Sequence, residues 1–169
     1  TPCDFDLSTA SSGDTIIINC LMDLQGQTLN LPPNVTILYE GGDITNGTLN
    51  FSDNSVISGE LLNSSVTLTG NIPQLKESIF NFDPQRWGIV EGITTSDIAQ
   101  RNNNILENLM FSVKDMGVNI FKIDKMDAYF EVSKVTSTTT NQNYYPSVEA
   151  INMPSDFSLV MTDNTYLRV

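Results

Sequence analysis

The sequence predicts an all-β chain wound as a β-solenoid, with one amphipathic α-helix beside it. Three observations lead there. Short strand signals crowd residues 14–70, each ended by Gly, Asn, Asp or Pro. Like segments also return: Asn34-Val35-Thr36-Ile37 is similar to Ser65-Val66-Thr67-Leu68, with Asn54-Ser55-Val56-Ile57 between them. An interval of about 20 residues suits one coil of a solenoid, in which each strand pairs with its equivalents above and below. Finally, only residues 94–117 carry a sustained helical period. An ordinary β-sandwich with chance similarity is the alternative.

In chain order, strands are predicted at 15–20, 21–24, 28–31, 35–40, 48–51, 55–57 and 66–69. Gln25-Gly26, Pro32-Pro33-Asn34, Gly41-Gly42-Asp43, Asn46-Gly47, Asp53-Asn54, Ser58-Gly59 and Asn63-Ser64 turn the chain between them. Gly, Asn and Asp tolerate positive φ, and Pro fixes its own. Ile72-Pro73 and Asp83-Pro84 then break the pattern, and residues 86–90 read as a short apolar strand holding the lone Trp87. The boundary is expected here: 1–75 as a small N-terminal β-solenoid region, and 76–169 as the helix-capped start of the main parallel β-helix.

The helix begins at Thr95 or Ser96, which can cap it, with Asp97 in the first turn favoured by the dipole. Ile98, Asn102, Ile105, Leu109, Val113 and Met116 form its stripe, widened by Leu106 and Met110. Asn102-Asn103-Asn104 is poor in helix propensity, so packing must hold the helix. Gly117 stops it. Strands are expected at 119–123, 128–132, 148–151, 157–162 and 166–169, with a polar loop at 133–147. A final strand without a closing turn would leave backbone groups unpaired, so the chain reads as the N-terminal part of a longer protein.

Composition excludes several functions. The chain has 169 residues and a net charge of −12, which opposes binding to nucleic acid or to anionic lipid. It has no His, so imidazole bases, Ser-His-Asp triads and most zinc and copper sites are absent. No apolar run approaches the roughly 20 residues of a membrane helix, so no membrane insertion is expected. Charged residues make up only 17%, and 51 residues are Asn, Thr or Ser. Such a surface is common in extracellular β-rich proteins and disfavours helices.

Cys3 and Cys20 are the two cysteines. One lies near the N-terminus and the other closes the apolar run Ile16-Ile17-Ile18-Asn19, so a disulfide between them would pin the N-terminal tail to the first strand. Two unrelated thiols are the alternative. A disulfide implies an oxidising compartment.

Residues 80–169 resemble the N-terminal region of right-handed parallel β-helix proteins of the pectate-lyase-like superfamily, which includes polysaccharide lyases, glycoside hydrolases and phage tailspikes. Residues 96–117 look like that family's capping helix, and Asn119-Ile120-Phe121-Lys122-Ile123 like the strand after it. Asp127-Ala128-Tyr129-Phe130 stands where the family often has Pro-x-Gly-x-Tyr, and Met153-Pro154-Ser155-Asp156-Phe157 is similar to a later coil. Leu31-Pro32-Pro33-Asn34-Val35 and Gly41-Gly42-Asp43-Ile44-Thr45-Asn46-Gly47-Thr48 resemble a small solenoid found near such domains. The family's Gly-Asp-Gly-x-x-Asp-Asp-Thr stretch is replaced by Glu91-Gly92-Ile93-Thr94-Thr95-Ser96-Asp97.

The resemblance implies a secreted, carbohydrate-active protein whose partners are a polysaccharide and the remainder of its own β-helix. A non-enzymatic tailspike on a virion, or a surface adhesive module, is the alternative. A formed disulfide favours the secreted enzyme, and free thiols favour the phage. Family catalytic residues sit on middle coils, so none is assigned and the segment alone is expected to be inactive. Tyr144 and Tyr145, in the polar loop, are candidate glycan contacts because sugar rings stack on aromatic faces. A lid tucked on the solenoid wall would also explain them. Trp87 is a further contact candidate, with a core position as its plainer account. No cofactor is evident. Asp124 and Asp127 flank a turn, which accounts for them without a ligand; they are also the candidates for a calcium site, which would need several more oxygens. Substrate, reaction type and oligomeric state stay open.

Overall fold

The computed structural model describes residues 1–131 and 151–169. The chain divides into two units, Thr1–Ser78 and Ile79–Val169. Unit 1 holds nine strands: β1 (Thr15–Ile18), β2 (Leu21–Asp23), β3 (Thr28–Asn30), β4 (Thr36–Tyr39), β5 (Asp43–Thr45), β6 (Gly47–Phe51), β7 (Val56–Ile57), β8 (Val66–Gly70) and β9 (Gln74–Leu75). They form three short, separate parallel sheets ordered β1-β4-β7-β9, β2-β5 and β3-β6-β8. Thr15 pairs with Thr36 and Thr36 with Val56; Thr28 pairs with Thr48 and Thr48 with Thr67. Every pairing therefore joins residues about 20 apart, as the sequence echo predicts. Parallel pairing excludes the sandwich alternative, which is built from antiparallel sheets.

Side chains alternate across each strand, so one apolar residue per pair turns inward and stacks on its partner. Ile37, Ile57 and Leu75 stack in register, Met22 lies on Ile44, and Leu49 sits between Leu29 and Leu68. Ile37, Ile44 and Leu49 are fully buried. Each such side chain contributes about 1.5–3 kcal/mol.

Corners recur with the same stride. Gln25 and Asn46 both adopt positive φ, as do Asn34 and Asn54 one pairing apart. The Gly-Gly and Asn-Gly motifs have a steric cause. A Cβ on Gly42 would lie 2.4 Å from the Cys20 carbonyl oxygen, and one on Gly47 would lie 2.5 Å from Leu24 Cβ. At both points the chain passes directly against the preceding stretch of chain. Asp43, expected in a turn, instead starts β5, because only Gly41 and Gly42 are needed to turn the corner.

The Cys3–Cys20 disulfide is formed, with Cα atoms 5.0 Å apart. Its tail also pairs with backbone: Pro2 bridges Leu21 in parallel, the Cys3 N–H donates to the Leu21 carbonyl, and the Leu21 N–H donates to Thr1. The tail thus extends the β2-β5 ladder rather than β1.

Unit 2 holds β10 (Ile79–Phe82), α1 (Ser96–Asp115), β11 (Ile120–Ile123), β12 (Met126–Tyr129), β13 (Ser158–Met161) and β14 (Thr165–Arg168). Its sheets, β10-β11-β13 and β12-β14, are also parallel. Phe80, Phe82, Phe121 and Phe157 form its aromatic core, with Phe121 central at 5.3–6.1 Å from the other three. Of the strand expected at 148–151, residues 148–150 lie outside the described residues and Ile151 is in no strand.

Residues 86–90 do not form the expected strand. Pro84–Trp87 is a 3-10 turn, capped by the Asp83 carboxylate on the Gln85 N–H and ended by Gly88 at φ 78°. Asp-Pro supplies both an N-cap and a first helical residue, and that signal outweighs the short apolar run. The helix starts where predicted, with Thr95 Oγ1 accepting from the Ile98 N–H, and Gly117 follows its end with positive φ. Its buried face keeps Asn102, Leu106, Leu109, Met110, Val113 and Met116 of the predicted stripe, but Ile98 and Ile105 are only half-buried, and Asn103 and Glu107, outside the stripe, also turn inward.

Candidate functional site

The inward polar residues of α1 position the strand that carries the most chemistry. Asn102 is fully buried; its Oδ1 accepts from the Val90 N–H, and its Nδ2 donates to the carbonyls of Val90 and Tyr129. Asn103 Nδ2 donates to the Glu131 carbonyl at 2.9 Å. Glu107 Oε1 accepts from the backbone and side-chain nitrogens of Asn152. Buried polar groups need partners, and here those partners are the backbone at the end of β12 and at residue 152. Two poor helix formers of the Asn triplet, Asn102 and Asn103, therefore act as tethers.

Those tethers leave β12 and its partner β14 with one face turned to solvent. Asp127 lies opposite Tyr166, and Tyr129 opposite Arg168. Met126 and Ala128 point the other way and are fully buried. The Arg168 guanidinium grips both oxygens of Asp127, its Nη2 at 2.8 Å from Oδ2. It also lies over the Tyr166 ring, 5.2 Å from the centroid. The Arg168 hydrogen bond holds the Asp127 carboxyl below its ordinary value, with the guanidinium charge adding to the effect. Asp127 in turn raises Arg168, so both stay charged across the physiological range. The result is a half-exposed tyrosine ring held in place beside a fixed ion pair. Such a face can stack a planar or ring-shaped ligand and hydrogen-bond its hydroxyls.

Of the residues singled out from sequence, only Asp127 belongs to this face. Asp124 lies 3.4 Å from Lys122, so Asp124 and Asp127 each face a cation of the protein's own. Among the described residues, no group of three or more His, Cys, Asp or Glu is placed to hold a metal ion. Trp87 is half-buried and meets Phe80 edge-on at 6.4 Å, a packing role. Tyr144 and Tyr145 lie outside the described residues. Tyr129, Tyr166 and Arg168 escaped the sequence reading. Their signal is the alternation Asp127-x-Tyr129 and Tyr166-x-Arg168, which places all four on one face once the two strands are known to pair in register.

A concavity of about 370 Å³ opens in unit 1 between residues 53–55 and 71–74. Among the described residues, no helix is long and apolar enough to cross a membrane. No family model matches the chain, and no curated protein or solved structure matches it either.

Proposed function

We propose that this chain is the N-terminal portion of a secreted carbohydrate-active protein of the pectate-lyase-like kind, with both units wound as right-handed parallel β-helix. Parallel ladders throughout, with a stride near 20 residues in unit 1 and near 40 in unit 2, support the solenoid, and the general handedness of parallel crossovers supports the right hand. Among the described residues, β13 and β14 each have a ladder partner on one side only, and Val160, Met161 and Tyr166 beside those edges are exposed. Further rungs of the same β-helix are the partner that such edges fit. The Cys3–Cys20 disulfide supports an oxidising compartment, hence secretion over assembly inside a host cell.

The observation that carries the sugar reading is the β12–β14 face, where Arg168 fixes Tyr166 beside Asp127. In this reading the segment contacts glycan and supports the coils that follow, which hold the catalytic groups of a lyase or hydrolase.

The test is affinity electrophoresis of the disulfide-intact chain through gels containing neutral or anionic polysaccharides. Retardation by a polysaccharide, reduced in Tyr166→Ala, is the expected result; migration unchanged in every gel overturns it. With the longer reading frame, ultraviolet-absorbing unsaturated product marks a lyase, and new reducing ends without it mark a hydrolase. Binding without cleavage moves the assignment to an adhesive module.

A further inference from the structure

The concavity of unit 1 has a lining suited to one ligand class. Asp53, Asn54, Ser55, Asn71, Ile72 and Gln74 surround about 370 Å³. Asn71 Nδ2 donates to Asp53 Oδ1, which cross-links the two walls and fixes both side chains. Ser55 is 3% exposed and spends its hydroxyl on the Ser52 carbonyl. Gln74 uses its backbone N–H on Ser55, but its side-chain amide has no partner among the described residues. The same holds for the Asn54 amide. One pairing earlier, Asn34 occupies the matching corner with the same positive φ, and its amide donates to Ser12 Oγ. The corner that lines the hollow thus keeps open the hydrogen-bonding group that the preceding corner uses internally.

Two further features select the ligand. Ile72 is 46% exposed and offers an apolar wall among amides and a carboxylate. Unit 1 carries nine carboxylate side chains against the single cationic side chain of Lys76, and no cation lines the hollow. A carboxylated or sulfated ligand would be repelled. The hollow also starts two and three residues beyond Thr69 and Asn50, which sit on uncharged ranks of Thr and Asn displayed by β3, β6 and β8. A polymer bearing hydroxyls could continue along those ranks.

We propose that this hollow binds one residue of a neutral saccharide. The Asn54 and Gln74 amides and the free oxygens of Asp53 and Asn71 take its hydroxyls, and Ile72 meets a C–H face of the ring. This rests on the carbohydrate reading above and narrows it. A neutral chain lacks the uronate carboxylate that elimination requires, so the full-length protein would be a hydrolase or a binder.

The experiment uses the chain of 169 residues and titrates β-1,4-glucan, β-1,3-glucan and mannan hexasaccharides, with polygalacturonate as the anionic probe, by calorimetry. The variant is Asn54→Gly with Gln74→Ala, chosen because Gly keeps the positive φ; circular dichroism and melting verify its fold. A neutral oligosaccharide should bind, and the variant should bind it about tenfold more weakly, the loss of roughly one good hydrogen bond. Tyr166→Ala should retain binding to the hexasaccharide at the hollow. Saccharide binding that is unchanged in the Asn54/Gln74 variant but lost in Tyr166→Ala overturns the hollow and leaves the wider reading standing. Binding of polygalacturonate alone overturns the neutral assignment. No binding by any probe overturns both.

Discussion

Asn102→Ala should destabilise unit 2 far more than its neighbours do. The side chain is fully buried and makes three hydrogen bonds at 3.0–3.1 Å, two to Val90 and one to Tyr129. Each contributes about 1 kcal/mol net, and truncation leaves a small void and a less satisfied backbone. The expected cost is about 2–4 kcal/mol. Asn103→Ala removes one bond at 2.9 Å and also removes an Oδ1 that has no partner among the described residues, so about 1 kcal/mol is expected. Asn104 is exposed, and Ala is the better helix former, so Asn104→Ala should be neutral or slightly stabilising. Urea unfolding followed by Trp87 fluorescence reads this directly, because the only tryptophan lies in unit 2. If Asn102→Ala costs no more than Asn104→Ala, the tethers do not hold β12 in place.

Arg168 depresses the Asp127 pKa, so its stabilising effect is complete above the ordinary carboxylate value of 3.8 and is lost as pH falls through the lowered folded value. Arg168→Gln should move the Asp127 carboxyl midpoint upward in a carbon-13 titration; an unmoved midpoint refutes the pairing. Replacing both Cys3 and Cys20 by Ser should lower the stability of unit 1 by about 2–4 kcal/mol in denaturant, since the bridge closes a loop of 17 residues. An unchanged transition would show that the tail's backbone pairing suffices. Gly47→Ala should cost about 1–3 kcal/mol by overpacking, because the added methyl meets Leu24 Cβ at 2.5 Å and the Gln27 carbonyl oxygen at 2.7 Å. Gly26→Ala meets no atom within 4 Å but sits at φ 74°, so it isolates the backbone cost. Equal melting losses in the two would refute the steric account.

Much of the fold was legible because its causes are local. Alternating aliphatic residues between Gly and Asn corners marked seven strands of unit 1 near their observed places, and the helix boundaries followed from Thr95 and Gly117. β5, three residues just after the Gly41-Gly42 corner, was missed, and so were β9 and β10. The latter two are two and four residues long and follow Ile72-Pro73, so no strand signal exceeds the turn signal there. The edges of the helix face were misjudged for a different reason. A hydrophobic stripe counts Ile98 and Ile105 as core and treats Asn103 and Glu107 as surface. The backbone of residues 131 and 152 needs hydrogen-bond partners, and that need turns the polar side chains inward.

The candidate site was the least legible part. Asp127 and Arg168 are 41 residues apart, and nothing in either neighbourhood signals the other. Stride was visible in sequence because repeated side chains occupy repeated environments. Registration was not, because a shift of one residue keeps the same composition yet sends every side chain to the opposite face. Composition and periodicity by themselves determined a His-free, mainly β chain with two cysteines, one helix and corners about 20 residues apart. Tertiary pairing decided which outward residues became neighbours. It set Tyr166 beside Asp127 and opened the hollow at Asn54, since contacts between strands depend on alignment in space rather than on residues adjacent in the chain.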